Sequence, residues 1–372
     1  MVTIKEVKTK KDLKAFVKFP FELYKDSKYW TPPIISQELK TFDTSENPVF
    51  NDAEARLFLA FKDSKIVGRV AAIINWLEIK NQDQKKMRFG WFDFIDDLNV
   101  SKALLDKVAS IGKENNLHFT EGPLGFSNLD KVGVIDEGFE AIAPMITWYN
   151  YPYYIKHYEA AGYVKEKAYS ESRFSFSNVD PATFTKAQAL IKRRYQLKAL
   201  TFTKTAEVMP YADKMFDLFN QTYSSLSSFV EITDIQKAYF KKKFISFINP
   251  EYINFVVDKD DNLVGFAIVM PAYAKALQKV KGKLFPFGFR HILKAKKSSK
   301  DVVFYLIGIH PEYQNKGVHA VIFNEYYPVF KEKGINMCYR TPELEDNIAI
   351  QQIWKHFKPE IYRRRKTYKK LL

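Results

Sequence analysis

Cysteine is almost missing from this chain of 372 residues: Cys338 stands alone, so no disulfide can close within it. That usage agrees with a reducing compartment, and the expected location is cytoplasmic. Long apolar runs are missing as well. No window approaches the roughly 18 consecutive apolar residues that a membrane-spanning helix needs. The opening MVTIKEVKTKKDLKAF is charged from its start and lacks the apolar centre of a signal peptide. A soluble protein is expected. Metal-site patterns are equally scarce. The histidines at 118, 157, 291, 310, 319 and 356 lack ligand spacing, and no CxxC, HExxH, GxSxG or Walker pattern occurs. Cys338 lies in the apolar run GINMCYRTP and reads as a buried structural thiol.

Acid is absent from one long stretch. Between Tyr273 and Lys300 there are nine Lys/Arg and no Asp or Glu. The run RRRKTYKK (363–370) adds six more cations to a chain whose 58 Lys+Arg outnumber 43 Asp+Glu. Such clumps raise the local concentration of anions. The partners to expect are a phosphorylated cofactor, nucleic acid or an anionic membrane, met through 273–300 and 363–370. The plainer reading of a Lys-rich run is a solvated face. Nothing in the sequence decides the oligomeric state.

Aromatic residues are plentiful: 32 Phe, 22 Tyr and 5 Trp. They suffice for large cores, the alternative being clefts lined for an apolar or acyl substrate. The length points to two domains, and an internal repeat divides the chain. FLAFKDSKIVGRVAAIIN (58–75) and INFVVDKDDNLVGFAIVMPA (253–272) both read as two strands about a polar turn. A further strand follows each, MRFGWFDFIDD and DVVFYLIGIHP, then an amphipathic helix, VSKALLDKVASIGKENN and GVHAVIFNEYYPVFKEKG. A strand closed by proline and a last helix complete both copies. The order β-β-β-α-β-α thus occurs twice, about 190 residues apart, with helical segments before each copy. Domains are expected over 1–175 and 201–372, with 176–200 linking them. The fold class is α/β (α+β), each copy a mixed, mostly antiparallel sheet flanked by helices.

The stretch YLIGIHPEYQNKGVHAVIFNEY (305–326) is a strand, a turn with a glycine, and a helix. The first amides of a helix lack intrahelical partners and sit at the positive end of its dipole. Gly317 permits close approach and Lys316 adds charge, so the turn suits a diphosphate. Here the chain resembles the GNAT acyltransferase superfamily, whose fourth strand leads into Gln/Arg-x-x-Gly-x-Gly/Ala. Gln314, Asn315, Lys316, Gly317 and Val318 match the first five positions. His319 holds the sixth, with Ala320 one place late.

The segments LYKDSKYWTPPI, EGPLGFSNLDKVGVIDEGF, YNYPYYIKHYEAAGY, KLFPFGF and HPEYQNKGVHA extend the likeness to a bacterial group of tandem GNAT proteins. The resemblance implies coenzyme A binding through Gln314 to His319. The amides of Ile307, Gly308 and Ile309, after a bulged strand, would face the thioester carbonyl. Acetyl-CoA or another acyl-CoA would be the substrate, without a metal. Gly308 reads as a bulge or as a packing glycine. A protonated His310 or His319 would favour phosphate. The counterpart turn FIDDLNVSKALL carries Asp96 and Asp97, which would repel it. In the superfamily's closing helix a Tyr can protonate the thiolate. Tyr158 in HYEAAGY fits that place, while the second copy keeps Asn347 but has Trp354 for the Tyr. Glu231, in the helical region before the second hairpin, is one candidate base, beside Glu345 and Asp346, which read more readily as capping or dipole partners of the last helix. Asp93, with Asp96 and Asp97, reads as an edge-strand or helix-start residue.

The expected function is acyl transfer from an acyl-CoA to an amine. Two alternatives stay open: an aminoacyl-tRNA-dependent transferase of related tandem fold, and a non-catalytic protein that binds an anionic ligand, membrane or partner.

Overall fold

The computed structural model describes residues 1–226, 228–244 and 247–372. The first half of the chain runs β1 (Thr3–Glu6), α1 (Lys10–Leu23), α2 (Ile35–Thr41), β2 (Ala53–Lys62), β3 (Lys65–Asn75) and α3 (Trp76–Gln82). It continues through β4 (Lys86–Phe94), α4 (Leu98–Glu114), β5 (Phe119–Gly122), β6 (Val134–Glu137), α5 (Tyr154–Ala160) and β7 (Val164–Ser175). The second half runs α6 (Ala182–Tyr195), β8 (Lys198–Thr201), α7 (Thr205–Val208), α8 (Ala212–Tyr223), α9 (Asp234–Phe244), β9 (Ile253–Val257) and β10 (Leu263–Pro271). Then come α10 (Ala274–Val280), α11 (Phe289–Ser298), β11 (Asp301–Ile309), α12 (Val318–Lys333), β12 (Met337–Arg340), β13 (Glu343–Leu344), α13 (Ile348–Trp354) and β14 (Glu360–Leu371). The helix expected over 234–248 is α9, and Ile245 and Ser246 of that stretch lie outside the described residues.

Two compact units form, and they interleave along the chain. Unit 1 holds 1–170, 274–289 and 363–372; unit 2 holds 171–273 and 290–362. Within unit 1 the sheet order is β1-β2-β3-β4-β5-β14, antiparallel except for the parallel pair β4–β5. Unit 2 repeats this as β8-β9-β10-β11-β12-β7, parallel only at β11–β12. In each unit the sixth strand comes from the other half of the sequence. Tyr368–Leu371 pair with β5 in unit 1, and Arg173–Ser175 pair with β12 in unit 2. The repeat expected from sequence is present, with a strand added before and after each copy. The segment 176–200 carries α6 and the start of β8 and belongs to unit 2.

Local chemistry explains the elements. Thr9 and Asp12 form a capping box on α1, satisfying two otherwise orphaned amides. Asp63 and Ser64, both at positive φ, make the two-residue turn that joins β2 to β3 with the twist a hairpin favours. Helix α4 turns Val100, Leu104, Val108 and Ile111 into the core, each worth about 1.5–3 kcal/mol of burial. Helix α12 stops at Gly334, φ +61, where Ile335 N–H returns to Phe330 O at 2.9 Å. Most aromatics serve the cores: in unit 2 Phe304 packs edge to face on both Phe323 and Trp354. The void bounded by Phe304, Phe323, Tyr326, Phe330 and Cys338 measures about 20 Å³, room for one water rather than an acyl chain.

One expectation is corrected. The basic run 363–370 is not a solvated face but most of β14, and no residue in it is exposed. Arg363 and Arg365 are buried. Arg365 donates to the carbonyls of Gly133 and Trp148 at 3.2 and 2.7 Å, and Arg363 donates to those of Gly138 and Ala141. Interior guanidinium groups are tolerable because carbonyl acceptors replace their water.

Candidate functional site

The site is built on the strand edge of unit 2. Strand β11 pairs in parallel with β12 over Asp301–Phe304, but β12 ends at Arg340, so Tyr305 to Ile309 outrun it. A bulge starts the overrun: Ile268 of β10 opposes Leu306 while Val269 opposes Phe304, leaving Tyr305 as the extra residue. Bulges re-aim the backbone beside functional sites. Past the bulge the faces alternate. His310 N–H donates to Val264 O on β10 at 2.9 Å, so the backbone groups of Ile307 and Ile309 face the side that β12 has left. Two side chains hold that edge. Tyr223 of α8 donates its hydroxyl to Ile307 O at 3.1 Å, and Gln314 Nε2 donates to Ile309 O at 3.2 Å.

The turn that follows is left-handed at two positions and packs closely on α6. Asn315 and Gly317 are both left-handed, φ +59 and +79, and Gly317 caps α12 through its conformation, without a side chain. A Cβ on Gly317 would meet Ile191 Cδ1 of α6 at 2.6 Å. Lys316 is exposed, with its ammonium 5.4 Å from the rings of both Tyr195 and Tyr313. Such cation–π contacts orient a lysine without neutralising it. Helix α6 is itself fixed to α12 by Lys192–Glu325 at 2.9 Å.

In unit 1 the same position is occupied by the protein's own groups. Strand β4 also bulges, since Arg69 opposes Asp93 while Ala71 opposes Gly90, and Trp91 sits at φ +45. It outruns β5 as well, pairing with it in parallel over Lys86–Arg88. There the edge is filled: Tyr153 donates its hydroxyl to Phe94 O, and Phe94 N–H donates to Tyr154 Oη at 3.3 Å. In the turn, Asp97 pairs with Lys62 at 2.9 Å and caps α4. Asp96 pairs with Lys156 and His157 at 2.9 and 2.8 Å. Behind them Asp93 is buried, bound to Arg69 at 2.7 Å and accepting from Tyr24 at 2.8 Å. Its strand is interior, so the edge-strand reading of Asp93 is corrected, while Asp97 does start a helix.

No family model matches the chain. Protein YghO of Escherichia coli (strain K12) is 25% identical over 97% of this chain and 93% of its own. A bacterial ceramide synthase of Caulobacter vibrioides is 24% identical over 98% of this chain and 96% of its own. A solved tandem GNAT protein from the clavulanic acid biosynthesis pathway superposes on 100% of this chain and 98% of its own, at TM-score 0.58 and 11% identity. This chain has the tandem GNAT fold.

Within that tandem GNAT fold the residues expected from sequence divide. Ile307, Gly308, Ile309, Gln314, Asn315, Lys316, Gly317, Val318 and His319 all lie on one continuous edge and turn of unit 2. Gly308 is a packing glycine, because a Cβ there would meet the Phe266 ring at 2.4 Å; the bulge is at Tyr305. His319 cannot supply positive charge. Burial, and then the nearby His356 and Lys355, push its pKa down to about 4, so it is neutral at physiological pH. Val318 is buried in the first turn.

The three catalytic candidates fare differently. Tyr158 is a core residue of unit 1, stacked on Tyr368 at 4.5 Å, and its hydroxyl finds no partner among the described residues. Burial first, then the neighbouring Tyr163, hold its proton on well above the usual phenol range. Asn347 caps α13 by accepting from Ile350 N–H at 3.2 Å. Glu231 is exposed and lies in the loop between α8 and α9 rather than in a helix. The next residue, Ile232, is tied to Asn220 by hydrogen bonds of 2.9 and 3.0 Å. Tyr223 was missed: its link to Ile307 spans 84 positions, and no local pattern marks it. Among the described residues no cluster of His, Cys, Asp or Glu could hold a metal ion, and no helix is long and apolar enough to cross a membrane.

Proposed function

We propose that this protein transfers an acyl group from an acyl-CoA to an amine, with the donor held by unit 2. The observation that carries the reading is the combination of a bulged strand outrunning its neighbour with a left-handed glycine turn at the start of a 16-residue helix. Chain amides at the turn and the Lys316 ammonium suit the pyrophosphate. The amides of Ile307 and Ile309 suit the pantetheine arm and the thioester oxygen as negative charge develops there. An amine nitrogen bonds to the thioester carbon, the C–S bond breaks, the thiolate leaves and the amine loses a proton. Tyr223, whose pKa burial raises to about 12, keeps its proton at neutral pH and is a candidate donor to the thiolate. Glu231 is a candidate acceptor of the amine's proton.

The relative named a bacterial ceramide synthase suggests which acceptor to try first. Ceramides are amides of long-chain amino alcohols, so a long-chain amine with a fatty acyl-CoA is the leading pair. Calorimetry with coenzyme A, acetyl-CoA and palmitoyl-CoA tests the donor, and mass spectrometry of an incubation with a long-chain amino alcohol tests the product. Lys316→Glu is the informative variant because the side chain is exposed and its reversal removes only the contacts with the Tyr195 and Tyr313 rings. Donor binding that is weaker in Lys316→Glu but unchanged in Asp96→Asn would support the reading. Binding absent from wild type up to about millimolar ligand, a weak affinity near −4 kcal/mol, would exclude it.

A further inference from the structure

Residues 281–298 present an apolar and basic surface that acyl transfer does not use. Phe285 is 81% exposed, Phe287 64%, Phe289 36% and Leu293 51%. A single exposed ring is ordinary, but four large apolar side chains lie exposed within nine positions, with the Phe285 and Phe289 rings 6.1 Å apart. Lys281, Lys283, Arg290, Lys294 and Lys297 are exposed among them, and no acid occurs between Tyr273 and Lys300.

The segment is held firmly at its base. Gln278 Nε2 donates to the carbonyls of Lys28 and Trp30, both at 2.9 Å. Ile35 N–H donates to Gly282 O at 3.0 Å. Gly282 has φ +74, and a Cβ there would meet Phe21 at 2.6 Å and Pro33 O at 2.7 Å, so only glycine fits. Phe289 N–H closes the loop onto Leu284 O at 2.7 Å. The rings are therefore displayed by an ordered loop, and little further ordering entropy opposes docking. On α11, at about 100° per residue, Phe289 and Leu293 form a ridge that continues into Lys297, Arg290 and Lys294. Ile292 on the other side is buried.

We propose that residues 281–298 dock this protein on an anionic lipid surface. Phenylalanine and leucine enter the boundary between headgroups and acyl chains, and the flanking cations meet lipid phosphates, as in interfacial amphipathic segments. Nucleic acid matches the same charge, but Leu293 offers a base nothing to stack on, and the ridge is aliphatic as well as aromatic. The proposal stands apart from the acyl-transfer reading and does not require it.

The test is sedimentation of the full-length protein with vesicles of phosphatidylcholine alone or with about 30 mol% phosphatidylglycerol, in low and high salt. Wild type is expected to prefer the anionic vesicles by at least about tenfold and to lose most of that preference in high salt. A Phe285→Ser, Phe287→Ser, Leu293→Ser variant is expected to bind at least about tenfold more weakly, with unchanged circular dichroism and unfolding midpoint. Lys281→Glu, Lys283→Glu, Lys294→Glu should erase the lipid preference while leaving the apolar patch intact. Wild type that ignores anionic vesicles, or a serine variant that binds them normally, would overturn the proposal. So would single-stranded RNA binding that both variants lose while vesicle binding is unaffected.

Discussion

The turns at 96–101 and 314–319 occupy one topological position in two units of the same design, and they have become opposites. In unit 1 the turn carries two carboxylates, each tied to a lysine, and the strand edge beside it is closed by Tyr153 and Tyr154. In unit 2 the turn carries a left-handed glycine and an exposed lysine. The edge there is held at two carbonyls by Tyr223 and Gln314. A bulged strand that outruns its neighbour is thus a frame. The protein's own side chains reach that edge in both units: Tyr153 and Tyr154 at Phe94 in unit 1, Tyr223 and Gln314 at Ile307 and Ile309 in unit 2.

The largest expected effect tests whether unit 1 is a structural element. Asp93→Ala leaves Arg69 buried without its carboxylate and the Tyr24–Tyr154 hydroxyl pair short of one acceptor. It should cost about 3–5 kcal/mol, measured as a lowered denaturant midpoint. Coenzyme A binding by the fraction still folded should be unchanged, and a selective loss of binding would break the comparison.

Next in size is a pH effect confined to unit 2. His319 has its folded pKa lowered to about 4, against about 6.5 when unfolded. The unfolded chain therefore takes up a proton first. Stability is fully present above about pH 6.5 and falls as the pH drops toward 4, by up to about 3 kcal/mol. Urea midpoints of wild type and His319→Gln should diverge in stability slope over that window. Parallel slopes would mean that the imidazole is better solvated than its packing indicates.

Smaller effects sharpen the contrast between the turns. Gly317→Ala forces a Cβ into the left-handed region and toward Ile191, costing about 1–2 kcal/mol of stability and weakening coenzyme A. Lys316→Glu should weaken coenzyme A by about tenfold, or about 1.4 kcal/mol, without the stability cost. If the two variants bind normally in calorimetry, unit 2 is as closed as unit 1. The smallest change is Tyr223→Phe. It removes one hydrogen bond to Ile307, about 0.5–1.5 kcal/mol, and should lower turnover more than donor binding if the hydroxyl serves the thiolate.

The repeat was legible because hairpin turns and helix faces have local signatures. Asp63-Ser64, the polar turn 258–262, and the apolar stripe of α4 each announce themselves within a few residues. The left-handed turn before α12 was legible for the same reason, since a glycine after a strand and before a helix is a local pattern. The basic run 363–370 misled because charge normally signals water. Arg363 and Arg365 are interior because carbonyls of Gly133, Gly138, Ala141 and Trp148 converge on them from elsewhere in the chain. His319 misled likewise: burial in the first turn of α12 removed the charge that the residue type promised.

By itself the sequence determined the two-copy order of elements, the position of the glycine turn, and the acid-free stretch 273–300 with its phenylalanines. These follow from backbone preferences and hydrophobic period, which act over a few residues. The tertiary structure decided which sixth strand completes each sheet and which cations are buried. It also decided which side chains reach the overrun edges, Tyr153 and Tyr154 in unit 1 and Tyr223 with Gln314 in unit 2. Those outcomes depend on partners up to hundreds of positions away, such as Arg363 on Gly138, and no local pattern encodes a contact whose two halves are so far apart.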